Sequence, residues 1–370
     1  MASPQRILVL GASFGGGDWP PLAAVTVGLH QAGHAVQCFG DPAIAQEFAS
    51  AGIAVEVVQA EATLAPGAFG PLPLRVWAEA CLPAVCALAR DFRPQVVVSQ
   101  LFTAELARLT KAACGIRWCC INPAYYFGPD SLRPFEADFA APWQPKKEQR
   151  QAIGEADLVL HATDALFDPP PPSFPRHHHH VGPLMWEPSS KAPTYLDVSG
   201  TPWVLVTVSS EPQPGEMTLA RTALRTLVEF PVRVVLTLST WHLRDELGSI
   251  PANARLEQFV PHSAVLTRSG LLVSHAGHGI VAKALYYGVP MVLVPWGRDQ
   301  PGVAARAAAL GVAEVIARHD FTEHRLSAAI HSVLGTPRYQ ENAAQIASRM
   351  QARDAVALAR ARIEELLETA

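Results

Sequence analysis

Charge is scarce in this chain, long apolar runs are missing, and its few cysteines fall into no framework. Charged residues make up 17% of the 370 positions, the formal net charge is -4, and there is no Lys/Arg run, so nothing in the chain offers a footprint for nucleic acid. No stretch approaches the roughly 20 uninterrupted apolar residues of a membrane-spanning helix, and no integral membrane association is expected. Ile7 to Leu10 is too short for a signal-peptide core and runs straight into a glycine turn. Six cysteines, with Cys119 and Cys120 adjacent, show neither disulfide-framework nor zinc spacing. A reducing cytoplasm is the expected setting. What the chain does have is apolar mass. Its 49% hydrophobic content and its length suffice for two domains with large cores and exclude disorder as the native state.

Arg6-Ile-Leu-Val-Leu10 reads as a strand, Gly11 to Gly17 as a glycine-rich loop, Leu22 to Ala32 as a helix ended by Gly33, and Ala35 to Phe39 as a second strand. This is a βαβ opening. The loop has no Gly-Lys-Ser/Thr, so it is no phosphate loop of the nucleotide-hydrolase kind, and Pro20 stands where a dinucleotide fingerprint needs its third glycine. Gly11-Ala-Ser13-Phe-Gly15 does match a nucleophile elbow and leaves a serine hydrolase at Ser13 as a remote alternative. That elbow, however, needs an oxyanion donor from an earlier loop, and only five residues precede this strand. Asp18 closes the loop. A carboxylate at a strand-to-helix turn suits a general base, and equally the N-cap of the following helix.

Further on, Val55-Glu-Val-Val, Gln95 to Ser99, Trp118 to Pro123 and Asp157 to His161 read as strands, with a helix from about Leu74 to Arg90. Tyr125, Tyr126, Phe127 and Trp143, together with Trp19, either line a pocket for an apolar ligand or form a core cluster. His177 to His180 suggest a metal, but a strand sends alternate side chains to opposite faces, so the four cannot converge on one ion.

The second half opens on Trp203-Val-Leu-Val-Thr-Val208, an apolar run of the kind buried in parallel sheets. A helix (about Met217 to Glu229) and strands at Val232 to Leu238 and Arg255 to Phe259 follow. Next come the strand Leu271 to Ser274, the turn Ser274-His275-Ala276-Gly277-His278-Gly279, a helix from Ile280 to Tyr287 stopped by Gly288-Val289-Pro290, and a strand from Met291 to Pro295. The backbone amides at such a helix start form an anion site, and Gly277 and Gly279 leave room for a phosphate. Ala313 to Ile316 is a last short strand, and helices are expected over Thr322 to Leu334, Arg338 to Met350 and Arg353 to Leu367.

The run His275-Ala-Gly-His-Gly, with Gly288-Val-Pro, Pro295-Trp-Gly-Arg-Asp-Gln-Pro-Gly and, upstream, Phe259-Val260-Pro261-His262, resembles the donor signature of GT-B nucleotide-sugar glycosyltransferases. The bacterial enzymes of natural-product biosynthesis, of macrolide and glycopeptide type, are the nearest in pattern. Several fixed spacings agree at once. The resemblance implies an α/β fold of two Rossmann-like domains facing each other across a cleft. Their expected limits are 1–183 for the acceptor domain, 184–201 for a linker and 202–352 for the donor domain, with a helix over 353–370 returning to the first. It also implies an inverting, metal-independent transfer from a dTDP- or UDP-sugar to a small hydrophobic or aromatic acceptor, O-glycoside favoured and C-glycoside possible. A sugar-nucleotide 2-epimerase on the same fold is the alternative. No cofactor is implied beyond the nucleotide sugar as co-substrate, and a monomer or homodimer is expected.

Residue by residue, Gly17-Asp18-Trp19-Pro20-Pro21-Leu22 is similar to the segment that carries the family's base, where most relatives have His in place of Asp18. Gln100 falls near the position where His-type relatives carry a pairing Asp, and a neutral amide there would spare Asp18 a second carboxylate. Ser210 keeps the hydroxyl of a Gly-Ser turn that touches a donor phosphate, while Ser209 replaces the glycine. His275, Gly277, His278 and Gly279 would hold the diphosphate, Phe259 and Val260 would flank the base, and Asp299 and Gln300 would hold sugar hydroxyls. Lys283 stands where many uridine-diphosphate users carry a Glu on the ribose. The chain has no Asp-x-Asp pair for metal-assisted departure.

Overall fold

The structure, a computed structural model, describes residues 4–13, 17–58, 71–128, 152–188, 190–197, 200–211, 213–239 and 242–368. These form two compact units. Unit 1 takes the described residues up to Gly128, those up to Trp186, and those from Asp354 onward; unit 2 runs from Glu187 to Arg353.

Unit 1 contains β1 (Arg6–Leu10), α1 (Trp19–Gln31), β2 (Ala35–Gly40), α2 (Pro42–Ala49), β3 (Ala54–Val57), α3 (Pro71–Phe92), β4 (Val96–Gln100), α4 (Ala104–Cys114), β5 (Arg117–Asn122), β6 (Leu158–His161) and β7 (His178–His180). The strands form one sheet in the order β3-β2-β1-β4-β5-β6-β7, parallel throughout. The apolar runs explain this: Ile7 to Leu10 and Val96 to Val98 are fully buried, as strands covered by helices on both faces must be.

Unit 2 contains β8 (Trp203–Thr207), α5 (Met217–Leu227), β9 (Arg233–Thr237), β10 (Ala254–Glu257), α6 (His262–Leu266), β11 (Ser269–Ser274), α7 (His278–Tyr287), β12 (Met291–Leu293), α8 (Gln300–Ala309), β13 (Ala313–Val315), α9 (Glu323–Gly335) and α10 (Pro337–Gln351). Its parallel sheet has the order β10-β9-β8-β11-β12-β13. The closing helix, α11 (Ala355–Glu368), belongs to unit 1 and packs on α1. Gly28 permits that contact, because a Cβ there would lie 2.3 Å from Cγ1 of Val356. Ala359 and Ile363 complete the seam and are fully buried.

In both sheets the order reverses at one point, between β1 and β4 and between β8 and β11. The chain leaves these two strands in opposite directions, so the loops beyond their carboxyl ends part and leave a crevice where ligands of open α/β sheets bind. The loop that ends in Asp18 follows β1, and the His275 turn follows β11. Each therefore stands at the switch point of its own unit.

Candidate active site

In unit 1 the loop after β1 is pinned at its root. Gln100, buried at the end of β4, donates from Nε2 to the carbonyl of Ala12 at 2.7 Å, and Thr103 Oγ1 donates to that of Leu10 at 2.7 Å. The Ser13 amide donates to Asp41, and the Gly11 amide to Phe39. Gln100 was expected beside Asp18; the structure gives its amide to the loop backbone, so it holds the loop that presents Asp18. Asp18 itself, at the N-cap position of α1, makes no side-chain capping hydrogen bond and has helical backbone angles. Asp41 shows the contrast. Its carboxylate accepts from the amides of Ala43 and Ile44, both at 3.1 Å, and caps α2. Capping therefore does not account for Asp18.

The aromatic residues divide differently. Trp19 packs on Trp186, ring centroids 4.9 Å apart. Tyr125, Tyr126 and Phe127 are all buried, which favours the core cluster of their two readings. The reason is a polar network beneath them. The amide of Asn122 donates to the carbonyl of Tyr125 and contacts Nδ1 of His161, His161 Nε2 meets Nδ1 of His178, and Asp168 accepts from the Tyr126 amide and pairs with His180. Tyr126 sets its ring edge-on to His161, His178 and Phe174. β7 alternates its histidines, with His178 and His180 turned into this cluster. Trp143 lies outside the described residues.

Unit 2 brings most of the donor-site candidates to three neighbouring strand ends. Ser210 follows β8, the His275 turn follows β11, and Asp299 and Gln300 follow β12. His275 is buried, its Nδ1 3.4 Å from the carbonyl of Thr207. A carbonyl only accepts, so Nδ1 carries the proton. Burial lowers the ring's pKa to about 4, which leaves it neutral at pH 7. Nε2 faces Gly277, the N-cap of α7: a Cβ on Gly277 would lie 2.5 Å from that nitrogen. Ala276 between them adopts φ +67, a left-handed conformation costly for any residue but glycine. His278 is buried in the first turn of α7. Gly279 is exposed, and a side chain there would meet open space. The turn thus offers an imidazole, a helix N-terminus and room in front of it.

The flanking loops are organised by residues that the motif search passes over. Glu216 is buried, and its carboxylate accepts from the amides of Ser209 and Gln213. Burial raises its pKa and these two donors offset part of that rise. This bond fixes Ser209 and leaves Ser210 exposed beside it. Gln300 accepts through Oε1 from the amides of Trp296 and Gly297, at 2.7 and 2.9 Å, so a sugar hydroxyl can reach it only through its amide nitrogen. Asp299 is hemmed in by protein, and the lost solvation raises its carboxyl to about 6. Beyond β10, Phe259 is 56% exposed while Val260 is buried, which leaves one aromatic face open for stacking. Lys283 lies on α7 with Nζ 2.5 Å from Glu187, whose carboxylate also accepts from Ser263 Oγ. Burial alone would raise the Glu187 carboxyl, but the lysine charge and these hydrogen bonds outweigh it and hold it low.

Residues 221–366 match the family described as Erythromycin biosynthesis protein CIII-like, C-terminal domain. This stretch is similar to a CIII-like C-terminal domain. Among curated relatives, 4'-demethylrebeccamycin synthase of Lentzea aerocolonigenes is 34% identical over 205 residues, 54% of this chain and 48% of the relative. The chain thus spans about half the length of that relative. Among solved structures, the glycotransferase of kitacinnamycin aligns over 99% of both chains with TM-score 0.80 and 21% identity. The glycosyltransferase VinC, solved in complex with dTDP, aligns over 99% of this chain and 100% of its own with TM-score 0.72 and 21% identity. The chain therefore has the GT-B fold. The matched stretch contains the His275 turn, Phe259, Lys283, Asp299 and Gln300. Ser210 and Asp18 lie outside it.

Within the matched stretch, Gly277→Ala tests the turn directly. The added methyl would push the imidazole off the helix N-terminus without touching the core. The variant should melt like the wild type and lose about 10²-fold in turnover, the scale of a 1 Å misplacement. Wild-type turnover in a folded Gly277→Ala protein would show that the position of the ring is unimportant.

Proposed function

We propose that this chain is an inverting glycosyltransferase that moves a sugar from a nucleoside-diphosphate donor to a hydroxyl of a small natural-product acceptor. The observation that carries this reading is the His275 turn: an imidazole folded over the glycine N-cap of α7, with open space at Gly279, at the switch point of the unit 2 sheet. The diphosphate would sit on the amides of Gly277 to Gly279 and on His275, and would leave without a metal. Asp18 would take the acceptor's proton as its oxygen attacks. Asp299 and the amide nitrogen of Gln300 would hold the sugar, and Phe259 the base. The solved structures named above are a glycotransferase and a glycosyltransferase rather than epimerases, and the Ser13 amide is committed to Asp41. Among the described residues no helix is long and apolar enough to cross a membrane, and all six cysteines are free thiols, which suits a reducing cytoplasm.

For the nucleotide, we place dTDP at least level with UDP. Lys283 is a cation paired with Glu187, so it offers no acceptor to a ribose 2′-hydroxyl, and VinC was solved with dTDP. The test is to supply matched dTDP- and UDP-sugars with a panel of phenolic and alcoholic aglycones and to follow product formation. A kcat/KM for the dTDP-sugar equal to or above that for the UDP-sugar is expected. A strong uridine preference would overturn the nucleotide assignment, and no transfer from any donor would overturn the function.

A further inference from the structure

The loops after β8 and β12 meet although their strands are not neighbours. Trp296 Nε1 donates to the carbonyl of Pro214 at 3.0 Å, and Arg318 donates to the same oxygen at 3.1 Å. A Cβ on Gly297 would lie 2.8 Å from Oε1 of Gln213. Between the two strands runs β11. Strand spacing puts the ends of β8 and β12 about 10 Å apart, so side chains that join their loops must reach across the end of β11, where the His275 turn begins. One ion pair does this. Nη2 of Arg298 lies 3.3 Å from Oε2 of Glu211, with side-chain exposures of 36% and 21%. Arg298 is held there by a left-handed backbone, φ +58, a strained choice for arginine that the surrounding loop enforces.

We propose that Arg298 is a diphosphate-binding side chain of the donor site and that the Glu211 carboxylate competes with the diphosphate for it. This rests on the donor site proposed above. The charge balance of these loops carries it. Glu211, Glu216 and Asp299 supply three carboxylates, and Arg298 supplies the guanidinium. An incoming diphosphate adds more negative charge to the same place and favours a guanidinium there; Arg318 is taken up by the Pro214 carbonyl and the Trp296 ring, whereas Arg298 holds only the Glu211 carboxylate among the contacts described. Glu211 holds that cation weakly: Oε2 makes no hydrogen bond of good geometry among the described residues, and burial raises its carboxyl more than Arg298 lowers it. A guanidinium presents planar, paired donors that fit a phosphate edge better than a single long contact does. Asp299, the next residue, would then be brought to the sugar by the same loop that carries Arg298 to the phosphate.

The experiment is calorimetric titration of the full chain with thymidine diphosphate. Glu211→Gln should bind about two- to fivefold tighter than wild type, the scale of releasing a half-exposed ion pair. Arg298→Gln should bind roughly tenfold weaker or more, as for a lost charge-assisted hydrogen bond. The double variant should match Arg298→Gln, because Glu211 has nothing to compete for once the arginine is gone. If folded Glu211→Gln binds no tighter than wild type, or tightens equally in the double variant, the competition is refuted. Melting temperatures check the fold, and Glu211→Ala supplies the same reading if the glutamine variant is unstable. A wild-type chain that binds no nucleoside diphosphate removes the proposed function and this inference together. Tight wild-type binding with an indifferent Glu211→Gln removes this inference alone.

Discussion

Asp18→Asn is expected to fold and melt like the wild-type chain while it loses roughly 10²–10⁴ in transfer to a neutral acceptor, the usual contribution of a positioned general base. The two halves of this expectation have separate grounds. Asn caps a helix about as well as Asp and keeps its shape, so the start of α1 should be retained. The root of the preceding loop, at Leu10, Ala12 and Ser13, is held by Thr103, Gln100 and Asp41, none of which the substitution touches. What disappears is a charged proton acceptor. An ordinary carboxylate titrates near 4, so it accepts a proton only as the attacking hydroxyl turns acidic in the transition state. The loss should therefore shrink for a phenol that is already ionised. Binding of the nucleotide should not change. Near wild-type transfer to a neutral alcohol by Asp18→Asn would falsify the assignment. His34 would not then inherit the role, since its ring nitrogens are engaged by the Gln5 amide and by Glu364.

His275→Ala is expected to lower turnover by about 10²–10³, as loss of one preorganised donor at a developing anion does. The buried, neutral ring adds a pH signature. With Nδ1 donating to Thr207, Nε2 is a lone pair until a proton arrives. An anion at the start of α7 favours the protonated ring and raises its pKa above the value of about 4 that burial imposes. Binding of a nucleoside diphosphate should then take up a proton. Affinity should grow as pH falls through the raised pKa of the complex and level off below about 4, where the ring of the unliganded protein is also protonated. The nucleotide's own titration is common to both proteins, so the difference between wild type and His275→Ala isolates the ring. Identical pH dependence in the two, or a variant that keeps more than half the wild-type rate, takes His275 out of the mechanism.

The βαβ unit around His275 is legible because every part of it is local. An apolar run, a glycine turn, helical spacing and Gly288-Val-Pro succeed one another within 25 residues, and the structure moves the helix start only from Ile280 to His278. Four helices escape the same reading, the five-residue α6 among them. α2 carries a readable signal, an Asp41 N-cap followed by Pro42, and α4 ends on Gly115 in the left-handed conformation. α8 begins inside the Asp299-Gln300 motif, which reads first as a ligand loop and only second as a helix start. The side chains that shape the site are less legible still. Glu216 reaches back seven residues to Ser209, Gln100 crosses 88 to Ala12, and Glu187 crosses 96 to Lys283. No local pattern marks such partners, because the parallel sheet alone brings them together. The choice for Tyr125 to Phe127 stays open in the sequence for the same reason: their aromatic pattern suits a pocket wall and a core equally, and the histidines of β7 that pack with them lie far along the chain.

Unit 1 is not continuous in the chain, and this has a consequence for synthesis. A ribosome delivers every residue of unit 2 before it delivers α11, which completes unit 1. Throughout that interval the face of α1 around Gly28 has no Val356 to meet, and the seam that Ala359 and Ile363 fill stands open. Domains generally fold as units, the N-terminal one first; here the helix that Asp18 begins is the first to emerge and among the last to be covered. The nascent chain thus carries a finished unit 2 alongside a unit 1 still waiting for its final turns, and it exposes apolar surface for as long as elongation of the last 170 or so residues takes, some ten to thirty seconds at roughly 5–20 residues per second.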